Sequence, residues 1–178
     1  MLTFLTGGAR SGKSTLAVRM AAASGDTVVF LATARPEGDA EWQERLAQHQ
    51  AERPSTWTTV EESLDLAEAI GAVDPGTFLI VDCLTLWVAN TIDAGWSDDD
   101  IDAAAVKAAT GAAARPGATV VVTNEVGSGI VPVVRAVRRF RDALGRVNGV
   151  WAGAADRAYL AVAGRVVPLL DPDDLAGG

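Results

Sequence analysis

Short unbroken apolar runs alternate along the chain with stretches whose apolar positions recur at helical spacing. Leu2 to Leu5, Thr27 to Thr33, Phe78 to Asp82, Ala118 to Thr123 and Tyr159 to Ala163 read as strands. A strand with one wet face alternates apolar and polar residues; these do not, so both faces are expected to be covered. Trp57 to Val60 reads as a short strand, and Val166 to Leu170 as a short returning one. Between them the spacing predicts helices over roughly 14–24, 40–51, 63–70, 84–92, 101–114 and 133–155. Asp39 and Ser97 stand where N-caps belong, and Arg53-Pro54, Asp74-Pro75-Gly76 and Arg115-Pro116-Gly117 stop the elements before them. Alternation of strand and helix predicts an α/β fold, with a mostly parallel central sheet and helices on both faces.

One junction carries chemistry. The first apolar run meets Gly7-Gly8-Ala9-Arg10-Ser11-Gly12-Lys13-Ser14, and a helical pattern follows. Strand, G-x-x-x-x-G-K-S and helix in that order form a P-loop. Gly7, Gly8 and Gly12 let the backbone curl so that successive N–H groups point at phosphate oxygens, and the helix aims its positive end at the same anion. Lys13 suits the β- and γ-phosphates, and the Ser14 hydroxyl suits Mg²⁺. The chain otherwise prefers Arg, with Lys107 the only other lysine. A flexible point charge has been kept at position 13. The predicted fold is therefore P-loop NTPase-like.

Composition narrows the picture. At 178 residues, 49% apolar and 21% charged, the chain suits one globular domain, expected over 1–170, with an acidic, disordered tail over 171–178. A formal charge of −8 argues against nonspecific binding to nucleic acid or anionic membrane. Cys83 has no partner for an internal disulfide, the N-terminus lacks a signal-peptide pattern, and no apolar stretch is long enough for an integral membrane segment. A cytoplasmic protein is expected.

Parallel sheets bind ligands beyond the carboxyl ends of their strands. Thr33, Asp82 and Asn124-Glu125 fall there with the glycine loop. Asp82, closing an apolar strand, suits a Mg²⁺-orienting carboxylate, or else a helix cap. His49 is the only histidine and sits on a polar helix between Gln48 and Gln50. Imidazole is a competent nucleophile toward phosphorus and a general base, though a solvated surface histidine reads equally well. Glu61 carries the same ambiguity. The arginines from Arg135 to Arg146 fit a salt-bridged surface better than a phosphate site.

Several stretches together resemble the bifunctional adenosylcobinamide kinase / adenosylcobinamide-phosphate guanylyltransferase family of cobalamin biosynthesis. They are Thr6 to Ser14, the Gln48-His49 helix leading to Arg53-Pro54 and Trp57, Val81 to Asn90, Thr123 to Pro132, and Phe140-Arg141-Asp142 with Gly145 to Asn148. The resemblance implies phosphorylation of adenosylcobinamide by a nucleoside triphosphate. It also implies transfer of GMP from GTP, through a guanylylated histidine, to adenosylcobinamide phosphate. His49 aligns with the nucleophile. Nucleotide contacts are implied at Gly7 to Ser14, at Ala32, Thr33 and Ala34, at Gln50, Ala51, Glu52 and Arg53, and at Glu61 and Asp82. GTP and ATP as substrates, Mg²⁺, a corrinoid partner and a homotrimer are implied as well. A small P-loop kinase with His49 a spectator, and a nucleotide-gated module without turnover, stay open as alternatives.

Overall fold

The computed structural model describes residues 1–51 and 53–173. Glu52 and the last residues of the expected tail, 174–178, lie outside the described residues. In chain order the elements are β1 (Leu2–Gly7), α1 (Lys13–Ser24), β2 (Val28–Ala32), α2 (Ala40–Ala51), β3 (Thr58–Glu61), α3 (Leu66–Ala72) and β4 (Phe78–Asp82). They continue with α4 (Leu84–Asp93), α5 (Asp98–Ala113), β5 (Thr119–Val122), α6 (Arg135–Ala154), β6 (Arg157–Val162) and β7 (Arg165–Leu169).

The strands form one sheet in the order β3-β2-β4-β5-β1-β6-β7. Every pairing is parallel except β6 with β7. The period of two divides the unbroken apolar strands between two cores. Phe4, Leu31, Leu79, Val81 and Val121 face one side, where α3, α4, α5 and α6 cover them with Leu66, Trp87, Ile101, Leu144 and Trp151. Leu5, Phe30, Ile80, Val120 and Val122 face the other, against Ala17 and Ala21 of α1. The small alanines let α1 lie close on the sheet, which brings the glycine loop down onto the strand ends.

Local chemistry explains the helix ends. Asp39 caps α2, its Oδ1 accepting from Trp42 N at 2.9 Å. Ser97 and Asp100 form a reciprocal capping box at the start of α5. The helix expected over 63–70 starts later, at Leu66. Glu62 Oε1 accepts from the N–H groups of Leu64 and Asp65 at 2.7 and 3.0 Å, and holds that stretch as a turn. Similarly α6 starts at Arg135 rather than 133, because Arg138 folds back to donate to the carbonyls of Pro132 and Val133. Three arginines of α6 pair with carboxylates: Arg139 and Arg146 meet Asp98, Arg146 also meets Asp102, and Arg141 meets Asp142.

Candidate functional site

The glycine loop joins β1 to α1 at the carboxyl edge of the sheet. A Cβ at Gly7 would lie 2.3 Å from the Ala161 carbonyl oxygen, so only glycine lets β1 run this close to β6. Gly12 stands at the helix N-cap with φ 92°, in the left-handed region. The loop is braced from outside by Gly164 N donating to Ser11 O at 3.0 Å, and by Glu125 N donating to Gly7 O at 3.1 Å. Lys13 is buried and turns back into the loop. Its Nζ donates to Gly7 O at 2.9 Å, Gly8 O at 2.7 Å and Ser11 Oγ at 3.3 Å. Burial lowers the Lys13 pKa from its ordinary value, with Cys83 and Asp82 pulling the other way. The lysine and Asp82 thus belong to one electrostatic cluster.

Glu61, Ala32 and Asp82 lie opposite one another across β3, β2 and β4, all at strand ends. The Asp82 side chain is 8% exposed. His49, in the last turn of α2, reaches it: Nε2 to Oδ2 is 3.1 Å. A carboxylate accepts, so Nε2 donates and the ring's lone pair falls on Nδ1. Phe30 supports the ring from below, edge to face, with centroids 6.3 Å apart and planes at 87°. The Arg53 guanidinium lies over the same Phe30 ring, 3.6 Å from its centroid. Burial lowers the Arg53 pKa, against the pull of Asp82 and Glu61. Arg53 Nε is buried with no hydrogen-bond partner among the described residues, a donor that a bound anion would satisfy.

A groove of about 570 Å³ opens beyond β3, lined by Gln50, Arg53, Pro54, Ser55, Trp57, Thr59 and Glu61. Of the residues singled out in the sequence, Gln50, Arg53 and Glu61 meet in this groove. His49 meets Asp82 at the strand end where Ala32 lies between Glu61 and Asp82 in the sheet. The Thr33 hydroxyl accepts from Cys83 N at 2.9 Å and donates to Cys83 O at 2.7 Å, so it ties the end of β2 to the end of β4. Glu125 folds onto its own loop, accepting from Gly127 N.

The sequence reading missed three supports. Phe30 looked like one more core residue in an apolar strand. Thr85 Oγ1 accepts from Asn124 N at 2.8 Å, and Asn148 ties Thr123 Oγ1 and Asn124 O to α6. Polar residues on otherwise apolar helix faces were the signal for the last two.

The family model described as cobinamide kinase / cobinamide phosphate guanyltransferase matches residues 3–169. The chain belongs to this family. Among its relatives, the bifunctional adenosylcobalamin biosynthesis protein CobP of Pseudomonas aeruginosa is 41% identical over 174 residues, covering 95% of this chain and 97% of that one. The corresponding CobU proteins of Escherichia coli and Salmonella typhimurium are 38% and 39% identical, each covering 92% of this chain and 97% of theirs. At the level of fold alone, the chain resembles a prototypical ATPase from the type III secretion system of pathogenic bacteria. The TM-score there is 0.55 at 13% identity, covering 98% of this chain and 60% of that one. It also resembles the RadB recombinase, with a TM-score of 0.50 at 18% identity, covering 89% and 73% of the two chains. The P-loop NTPase-like architecture expected from the glycine motif is thus the architecture found. Among the described residues, no helix is long and apolar enough to cross a membrane.

Proposed function

We propose that this chain is a bifunctional enzyme of adenosylcobalamin biosynthesis. It phosphorylates the aminopropanol hydroxyl of adenosylcobinamide with a nucleoside triphosphate, GTP or ATP. It then moves GMP from GTP, by way of His49, onto adenosylcobinamide phosphate, yielding adenosylcobinamide-GDP. Membership of the family supports both reactions. The observation that carries the second is the contact of the lone imidazole with Asp82, in the same electrostatic cluster as Lys13.

The residues act as follows. Backbone N–H groups of Gly8 to Ser14 hold the phosphates, and Lys13 leaves its loop carbonyls to meet their charge. Gln50, Ala51, Glu52, Arg53 and Glu61, with Ala32 to Ala34, hold the rest of the nucleotide. The ring nitrogen of His49 that does not bond Asp82 attacks the α-phosphorus. An N–P bond forms, the bond from that phosphorus to the bridging oxygen breaks, and pyrophosphate leaves with the electron pair. Asp82 holds the opposite nitrogen and takes up the positive charge, or the proton, that the ring sheds. The corrinoid phosphate oxygen then displaces His49, and the ring regains its lone pair.

Mg²⁺ fits the donor set. Ser14 Oγ and the Asp82 oxygen not taken by His49 are hard ligands, and no larger cluster of His, Cys, Asp and Glu exists among the described residues. Such a sparse set suits an ion held largely by substrate phosphates. When bound, the ion neutralises charge on those phosphates.

The same proposal includes one domain over 1–170, a cytoplasmic location, a homotrimer, and the corrinoid as partner rather than nucleic acid or membrane. Supplying adenosylcobinamide with ATP, then GTP, and separating the products tests it. Successive appearance of the phosphate and of the GDP adduct with pyrophosphate is expected. A reaction that stops at the phosphate leaves only a kinase.

A further inference from the structure

A second groove, of about 430 Å³, opens beside the N-terminal turn of α2, at the opposite end of that helix from His49. Arg35, Glu37, Trp42, Leu86, Asn90 and Asp93 line it. Its walls are fixed rather than incidental. A Cβ at Gly38 would fall 2.3 Å from Trp42 Cδ1, so glycine is what lets the indole lie flat there. Trp42 Nε1 donates to Arg35 O at 3.0 Å, and Arg35 Nη2 donates to Asn90 O at 3.3 Å. Asn90 is buried, and its amide donates to Thr33 O at 2.8 Å and to Ser63 O at 3.3 Å. Thr33 in turn bonds both backbone groups of Cys83, the neighbour of Asp82. One chain of hydrogen bonds therefore links this wall to the strand end where His49 meets Asp82.

Charge decides what the groove accepts. Two carboxylates stand against one guanidinium, so a polyphosphate is repelled, whereas the groove beyond β3 sets Arg53 against Glu61 alone. An amide-rich ligand of net positive charge with an apolar edge is suited instead. We infer that this groove holds one edge of the corrin ring of adenosylcobinamide, an assignment that rests on the kinase and guanylyltransferase reading above. The adenosylated Co(III) corrin carries net positive charge and a rim of carboxamides. Their NH₂ groups donate to Glu37 and Asp93, their carbonyls accept from Arg35, and ring methyls pack on Trp42 and Leu86. A groove of 430 Å³ takes an edge, not a whole corrin, which leaves the aminopropanol arm outside it. Helix α2 then carries nucleotide at one end and corrinoid at the other.

The test is equilibrium dialysis of adenosylcobinamide, read by its visible absorbance, with a non-hydrolysable GTP analogue present. Wild type, Trp42→Ala, Glu37→Gln and Asp93→Asn are compared. Each variant is expected to bind the corrinoid about tenfold more weakly, with labelling by α-labelled GTP unchanged. Should Trp42→Ala fail to fold, the two carboxylate variants carry the test, since both side chains are exposed. Variants that bind as tightly as wild type overturn the groove assignment alone. A wild type that binds no corrinoid overturns the proposed function with it.

Discussion

His49 Nε2 sits 3.1 Å from Asp82 Oδ2, a contact between residues 33 positions apart that joins the end of α2 to the end of β4. Asp82 thereby faces two tasks, one oxygen orienting the imidazole and the other available to a metal. Replacing it with asparagine removes the charge that stabilises the ring and the charge that would hold the ion. Asp82→Asn should slow both phosphorylation and His49 guanylylation by roughly 10²-fold. Steady-state kinase rates and single-turnover labelling measure the two effects. Burial, and next to it the Asp82 charge, push the Cys83 thiol up to about 12. The same variant should therefore alkylate faster at Cys83 than wild type at alkaline pH, because the thiolate is the reactive form.

Two glycines should respond oppositely to alanine. Gly7 has φ 151° and no room, with the Ala161 carbonyl 2.3 Å from an ideal Cβ. Gly7→Ala should cost about 2–3 kcal/mol and impair nucleotide binding. Gly111 lies exposed inside α5 with nothing within 4 Å. Gly111→Ala should stabilise the fold by about 0.5–1 kcal/mol, since it removes backbone freedom from the unfolded chain. Urea unfolding of both variants checks the signs.

Why the sequence showed some of this and not the rest is a matter of range. The β1–α1 junction is local: strand, glycines, Lys13 and helix follow one another, so both motif and context are visible. Phe78 to Asp82 is equally plain, because a strand covered on both faces has no polar position until it leaves the sheet. The meeting of His49 with Asp82 depends on a loop, a helix angle and two intervening elements, and nothing in the spacing specifies it. Family resemblance supplied the role of His49; the residues alone left it even with a surface histidine. Phe30 is a sharper case, for its apolar context hid a ring that meets both Arg53 and His49. Helix starts at 63 and 133 were misplaced because a side chain, Glu62 or Arg138, competes with the helix for backbone groups.

Arg115 is buried, and its guanidinium donates to the carbonyls of Ile70, Val73, Asp74 and Thr77, all at the end of α3 and the turn after it. Arg115→Ala takes the guanidinium donors from those carbonyls, of which Ile70 O and Asp74 O keep another donor, and leaves a void. It should cost about 2–4 kcal/mol, and Arg115→Lys should recover little, since an ammonium cannot span the fork. Thermal unfolding of the two variants reads the difference.

Asp98 supplies a pH dependence. The hydrogen bond from Arg139, joined by the charges of Arg139 and Arg146, holds its carboxyl below the ordinary value of 3.8. A carboxyl with a depressed native pKa stabilises the fold above its unfolded value, and that stability is lost as pH falls through the native one. The site is solvent-exposed, so the effect is modest and salt-sensitive. Wild type should exceed Asp98→Asn in unfolding midpoint near neutrality, and the gap should close below about pH 3.8. A gap that widens in acid contradicts this sign.

The central claim is that His49 becomes covalently guanylylated by GTP bound at the glycine loop. Incubating the protein with GTP labelled at the α-phosphorus, without corrinoid, and mapping the label by peptide analysis addresses it directly. The account predicts one acid-labile label on His49, absent from His49→Ala and from Lys13→Ala, and discharged on adding adenosylcobinamide phosphate. Label that persists in His49→Ala, or a wild type that transfers GMP to the corrinoid without ever carrying label, contradicts it.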